Sequence, residues 1–271
     1  DSLVEIGPLP APLKCLAAGM RHSLALDDAG QLWGWGNAKE GQLVVSGTDP
    51  EEAAERPPRL VMTPCLTGIV GANHVVAGAK HSAALISGSV WIWGGGKGLK
   101  TWHGERGGSA PRLVPLPSTG DEGEVPAVLT IASGWSHLIA LDSNGTTWSC
   151  GRGDLGQLGT GDTCGWAEGF QKVMGLSAGV QKVVCGAEHT IALTDEGDVY
   201  AWGWGDHGQL GQGTCANALV PVRIELRGDE REPQEDRGRS GTRSRSSRCG
   251  ARGAPASARI WAGGAASFAT A

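Results

Sequence analysis

The residues best equipped for chemistry crowd into one stretch, "CGAEHTIALTDEGDVYAWGWGDHGQLGQG", from Cys185 to Gly213. It holds a thiol, a histidine, several carboxylates and a G-x-G-x-x-G match at Gly203, Gly205 and Gly208. The same spacing recurs at Gly151, Gly153 and Gly156. A dinucleotide site needs a helix that begins at those glycines, so that its N-terminus faces the pyrophosphate. Here Gln-Leu-Gly and more glycines follow, with no 3.6-residue apolar period, so the glycines read as turns. "GGGKG" at Gly94 fails as a phosphate loop, because Trp91 stands five residues before Gly96, where that loop requires glycine.

His22, His81, His137 and His189 would form a metal or acid–base set if they converged. They fall one per repeated unit at equivalent positions, and no Asp or Glu recurs beside them in register. Each is therefore expected to satisfy buried backbone groups within its own unit. Ser23, Ser82 and Thr190 follow the histidines, but neighbouring strand residues point to opposite faces, so no nucleophile–base pair forms within a unit. No catalytic residue, metal or cofactor is assigned.

The elements that carry these residues repeat. Units aligned on Gly-x-x-His begin at Gly19, Gly78, Gly134 and Gly186. From each histidine the chain runs 14, 13, 14 and 14 residues to Gly36, Gly94, Gly151 and Gly203. In three units Gly-Gln-Leu follows five residues later, at Gly41, Gly156 and Gly208. "HSLAL", "HLIAL" and "HTIAL" read as short buried strands, and Ala29-Gly30, Asn144-Gly145 and Glu196-Gly197 as the turns of hairpins. Asn144-Gly145 predicts a two-residue hairpin turn with positive φ at both residues. Proline-led outer segments and a further apolar strand complete four strands per unit, the pattern of a propeller blade. The Trp pairs 33/35, 91/93 and 202/204 alternate with small residues, which puts two indoles on one face of a strand. A sheet apolar on both faces must be covered by neighbouring blades.

These motifs resemble the regulator of chromosome condensation repeat, with its Gly-x-x-His-Ser-x-Ala-Leu, Gly-x-Val-x-x-Trp-Gly and Gly-Gln-Leu-Gly elements. The likeness covers about residues 12 to 226 and implies an all-β, seven-bladed propeller, of which four to five blades are present. "SGWSHL", "GRGDLGQLG", "CGAEHT" and "WGWGDHGQLGQGT" look most like the secretion-regulating guanine nucleotide exchange factor branch. The founding member is an exchange factor for the small GTPase Ran and uses a β-wedge, to which no stretch here is matched. A plant branch senses UV-B light through tryptophans in Gly-Trp-Arg-His-Thr motifs. The nearest match is Gly134-Trp135-Ser136-His137, with serine for arginine, which argues against light sensing.

Domain organisation follows: blades over 1–226, an acidic then Arg/Ser-rich disordered insert over 227–258, and the start of a truncated blade over 259–271. The chain begins mid-pattern at Asp1, as a fragment would. Residues 237 to 259 hold seven Arg and no acid; with a net charge of −5 overall, the remainder is near −12 and repels nucleic acid. The Arg/Ser segment is the exception: it is either a phosphorylated, nuclear-targeting or RNA-contacting insert, or a solvated loop or misread coding sequence. Seven Cys without C-x-x-C read as reduced thiols in a cytoplasmic or nuclear protein, and no leader or membrane span is seen.

The expected function is protein binding through loops on the propeller face; the alternatives are guanine nucleotide exchange on a small GTPase, Ran-like or secretion-related, and a degenerate fragment without stable function. The candidate contacts follow each Trp-Gly: Asn37, Lys39 and Glu40; Trp102 and His103; Arg152 and Asp154; Asp206 and His207. Structural roles fall to His22, His81, His137, His189, Gly36, Gly94, Gly151, Gly203, Trp35, Trp93 and Trp202.

Overall fold

A computed structural model of the chain describes residues 11–44, 60–95, 110–118, 124–176 and 179–225. The segment 227–258, the blade start at 259–271, and Trp102 and His103 lie outside the described residues. Four antiparallel sheets of four strands follow one another along the chain. Blade 1 is β1 (Leu13–Ala18), β2 (His22–Asp27), β3 (Leu32–Asn37) and β4 (Leu60–Leu66); blade 2 is β5 (Ala72–Ala77), β6 (His81–Ile86), β7 (Ser89–Gly94) and β8 (Arg112–Val114). Blade 3 is β9 (Val128–Ser133), β10 (His137–Asp142), β11 (Thr147–Arg152) and β12 (Trp166–Lys172); blade 4 is β13 (Val180–Cys185), β14 (His189–Thr194), β15 (Val199–Gly203) and β16 (Ala218–Ile224). Strands pair in chain order within each blade.

The repeat spacing is strand register. His22 pairs with Gly36, His81 with Gly94, His137 with Gly151 and His189 with Gly203 across each central hairpin. The 13-residue interval of the second unit has a local cause: Ile86 pairs with Ser89, leaving a two-residue turn at Ser87 and Gly88 with φ of 49° and 74°. This corrects the expectation for Asn144-Gly145. Leu141 pairs with Thr147, so that turn is longer, and only Gly145 has positive φ. The Asp142 carboxylate accepts the amides of Asn144 and Thr146, which holds the wider turn together.

The core lies between blades. Leu24, Leu26 and Leu43 of blade 1 pack with Val75, Ala84 and Trp93 of blade 2. Val76, Leu85 and Ile92 meet Ile131, Leu138 and Trp148, while Ile139 and Leu141 meet Val183, Ala192 and Trp202. Trp93 and Trp202 are fully buried, so each large ring fills a seam. The pairing of Trp202 with Trp204 on one strand face does not hold: β15 ends at Gly203, whose φ of 102° turns the chain, and Trp204 sits in the loop. The outer strands β4 and β16 contain Pro64 and Pro221, residues tolerated at sheet edges, and their ladders to β3 and β15 shift register.

Candidate functional site

The Gly-x-x-His turns and the first residues to leave β3, β7, β11 and β15 share one end of the array. The link repeats in every unit: Asn37, Gly95, Arg152 and Trp204 amides donate to the carbonyls of Arg21, Lys80, Ser136 and Glu188, at 2.7–2.9 Å. Successive turns are also stitched to each other, since the Met20, Ala79 and Trp135 amides donate to Gly78, Trp135 and Ala187 carbonyls. The packing here excludes a side chain on the motif glycine. A Cβ on Gly78 would lie 2.1 Å from His81 Cε1 and 2.8 Å from the Gly134 carbonyl oxygen.

Three of the four motif histidines, His22, His81 and His137, do not do what their sequence positions predict. Instead of serving their own unit, they reach the next blade: His22 Nε2 lies 2.9 Å from Ser82 Oγ, His81 Nε2 3.0 Å from Ser133 Oγ, and His137 Nε2 3.1 Å from Thr190 Oγ1. Sequence reasoning treated each unit alone, whereas a strand residue facing away from its own hairpin neighbour faces the adjoining blade. The proton positions follow from the acceptors. Ser82 donates to the Gln42 carbonyl at 2.8 Å and Thr190 to the Gln157 carbonyl at 3.3 Å, so His22 and His137 must donate through Nε2. The same two carbonyls also accept the indole N–H of Trp93 (2.9 Å) and Trp202 (3.1 Å), which fills both lone pairs.

A buried Ser–His contact is not a nucleophilic centre here. The Ser82 proton is committed to a carbonyl, its side chain is buried, and His22 Nδ1 has no partner to orient it. Burial drives the His22 ring down to about 4, and His81 and His137 to about 3, so all three are neutral at physiological pH. They are seam bolts.

The middle seam departs from this pattern at three positions at once. Its first blade lacks Gly-Gln-Leu, and the second has Leu138 where Ser82 and Thr190 stand and Cys150 where the indoles stand. With no glutamine carbonyl to serve, Ser133 supplies the hydroxyl from β9 and donates to Gly134 instead. The signal was present in the sequence as a missing glutamine, serine and tryptophan, but it is meaningful only once the units are known to touch.

The loops use many of the candidate contact residues internally. In the three Gly-Gln-Leu loops the glutamine Oε1 accepts a backbone amide two residues back, from Glu40, Leu155 or His207, each at 2.9 Å. Asn37 Oδ1 caps the Lys39 amide, and Glu40 lies 4.0 Å from Lys80 of the next blade. Arg152 binds Asp154 at 2.7 Å and reaches Glu188 of the next blade at 3.4 Å; Gln157 Nε2 donates to the same Glu188 at 2.9 Å. Burial raises the Glu188 carboxyl, against the opposing pull of Gln157 and Arg152. Glu188 and Lys80 were not among the expected site residues, yet each answers the loop of the preceding blade. Asp206 and His207 remain exposed, with the His207 ring edge-on to Trp204 at 4.9 Å between centroids. Among the described residues no group of three His, Cys, Asp or Glu side chains is placed to hold a metal, and no helix is long and apolar enough to cross a membrane.

Comparison with known proteins agrees with this geometry. The regulator of chromosome condensation (RCC1) repeat matches residues 14–42, 128–157 and 180–209 in one description and 144–193 and 196–251 in another. The Ultraviolet-B receptor UVR8 of Arabidopsis thaliana is 32% identical over 229 residues, covering 84% of this chain and 49% of that protein. The secretion-regulating guanine nucleotide exchange factor of Bos taurus is 32% identical over 233 residues, covering 77% of this chain and 48% of that protein. The chain thus spans about half the length of these curated relatives. Among solved structures, Prp20p of Saccharomyces cerevisiae, studied for binding to Gsp1p and histones, superposes with a TM-score of 0.65 at 24% identity. That match covers 82% of this chain and 52% of Prp20p, and it shows the shared fold. The repeated motifs, their blade register and these matches together make the chain a member of the regulator of chromosome condensation repeat family.

Proposed function

We propose that these blades form a protein-binding scaffold whose partner docks on the Gly-x-x-His end. One observation carries this reading: the Gly-x-x-His turns of all four blades meet the described loops of blades 1, 3 and 4 at that end over a hydrogen-bonded backbone, while His22, His81 and His137 beneath are buried and neutral. A rigid base presenting variable loop tips suits recognition, and the absence of an accessible nucleophile beside those histidines disfavours bond-making chemistry. Lys39, Asp154, Asp206 and His207 are exposed loop residues open to a partner.

A second reading has specific support in the likeness to the secretion-regulating guanine nucleotide exchange factor: nucleotide exchange on a small GTPase. The two are separated by a nucleotide-release assay against a panel of small GTPases, run beside a binding measurement on the same panel. Accelerated release supports exchange, binding without release supports the scaffold, and the absence of both removes the small-GTPase reading. The six cysteines among the described residues are free thiols, which supports a reducing compartment, cytoplasm or nucleus. Imaging of a fluorescent fusion checks that assignment.

A further inference from the structure

The first variable residue of each Gly-x-x-His turn is apolar in all four units: Met20, Ala79, Trp135 and Ala187. Because the turns are hydrogen-bonded side by side, these residues make a continuous strip rather than scattered surface positions. Met20 and Trp135 are 53% and 39% exposed, on either side of the small Ala79. Isolated exposed apolar residues are ordinary, but a contiguous strip rimmed by polar groups marks an interaction site.

The charge along this strip is uneven. Arg21 and Lys80 are exposed beside its blade 1 and blade 2 end, where Lys39 adds a cation and Glu40 is the nearby acid. Arg21 has no ion-pair partner among the described residues. At the other end Arg152 answers two carboxylates, Asp154 and Glu188, which leaves a surplus negative charge, and exposed Asp206 adds another. A binding surface with apolar anchors and opposite charge at its two ends selects for register and direction in its partner.

Resting on the scaffold reading above, we propose that this strip binds an extended peptide segment of a partner protein. The segment carries an apolar or aromatic anchor seated between Met20 and Trp135, acidic residues over Arg21 and Lys80, and basic residues over Asp154 and Asp206. Orientation is fixed by the charges and affinity by the anchor, because buried aromatic contacts dominate interfaces while rim charges steer association.

The test uses the whole chain and a displayed library of random 12-residue peptides, with binders measured by anisotropy of labelled copies. Enriched peptides are expected to share an apolar anchor with acidic residues on one side and basic residues on the other. Trp135→Ala should weaken them about tenfold or more, as loss of a hot-spot aromatic does. Trp135→Phe should retain most of the binding. The double variant Arg21→Glu/Lys80→Glu should lose these peptides and bind versions whose acidic residues are replaced by basic ones. All three side chains are exposed, so the variants should melt as the parent does, and the melt is recorded with each. Failure to enrich any peptide, or enrichment of peptides indifferent to these variants, overturns the proposal. If a protein partner from the binding panel is held equally by parent and variants, the scaffold reading survives and the strip does not.

Discussion

At a buried hydroxyl such as Thr190, two groups depend on one oxygen: it accepts from His137 and donates to the Gln157 carbonyl, which also accepts from Trp202. Removing it by Thr190→Val keeps the shape but leaves the His137 N–H without its acceptor, at a cost of about 1–3 kcal/mol. Thr190→Ser retains the oxygen and should cost less; urea unfolding of the two variants checks the order, and equal losses would mean that the methyl group matters as much as the hydroxyl. The same histidines make stability depend on pH. Their folded values near 3–4 lie below an unfolded value of about 6.5, so the folded state resists protons that the unfolded state accepts. Their contribution is complete above about pH 6.5 and is lost as pH falls toward the folded values, by at most about 1.4 kcal/mol per pH unit for each histidine. The melting temperature should therefore drop between pH 7 and pH 5, and His137→Gln should flatten that slope; an unchanged slope would remove the histidines from the explanation. The sequence made these four histidines visible through their spacing. Their partners were not, because a hydrogen bond between residues 52 to 60 positions apart is a property of how blades stack.

Within an element, the distinction between glycines tests the packing argument. Gly78 lies under the His81 ring and against the next turn, whereas Gly165, just before β12, has no heavy atom within 4 Å of a built Cβ and an ordinary φ. Gly78→Ala should destabilise by at least the ~1–3 kcal/mol of an overpacked core, and Gly165→Ala should stay within about 0.5 kcal/mol of the parent. Equal effects would show that the turn can shift to make room. Strand positions were legible from the sequence because the His-to-Gly interval is fixed by hairpin register, and the 13-residue exception at Ser87-Gly88 obeys the same logic. The turn at Asn144-Gly145 was misread because a dipeptide preference competes with the Asp142 carboxylate, which holds a longer turn through two backbone amides. Likewise Trp204 counted as a strand residue until Gly203 turned the chain away, and a φ is not written in an alternation pattern.

For the whole molecule, the close contacts between sheets all join consecutive blades: β5 touches β1 and β2, β9 touches β5, β6 and β7, and β13 touches β9 and β10. Such an array behaves as a nearly one-dimensional chain in which each blade is stabilised by its neighbours. The seams differ in their described contacts. The first and third carry a hydroxyl and an indole on one glutamine carbonyl, together with charged contacts, Lys80–Glu40 and Arg152–Glu188. The middle seam relies on Ser133 and on apolar packing of Ile92, Leu138 and Trp148. Damage at one seam should consequently stay near it. Trp202→Ala empties the third seam at a cost of about 3–5 kcal/mol and should speed hydrogen exchange throughout blade 4 and in the β10 and β11 amides that face it. The amides of β2 and β6, in blades 1 and 2, should keep their protection because, among the described residues, neither blade packs closely against blade 4. If β2 and β6 lost protection in step with β14 and β15, the array would be one cooperative unit, and the loop tips of the proposed binding end would be held by the whole set of blades rather than by adjacent pairs.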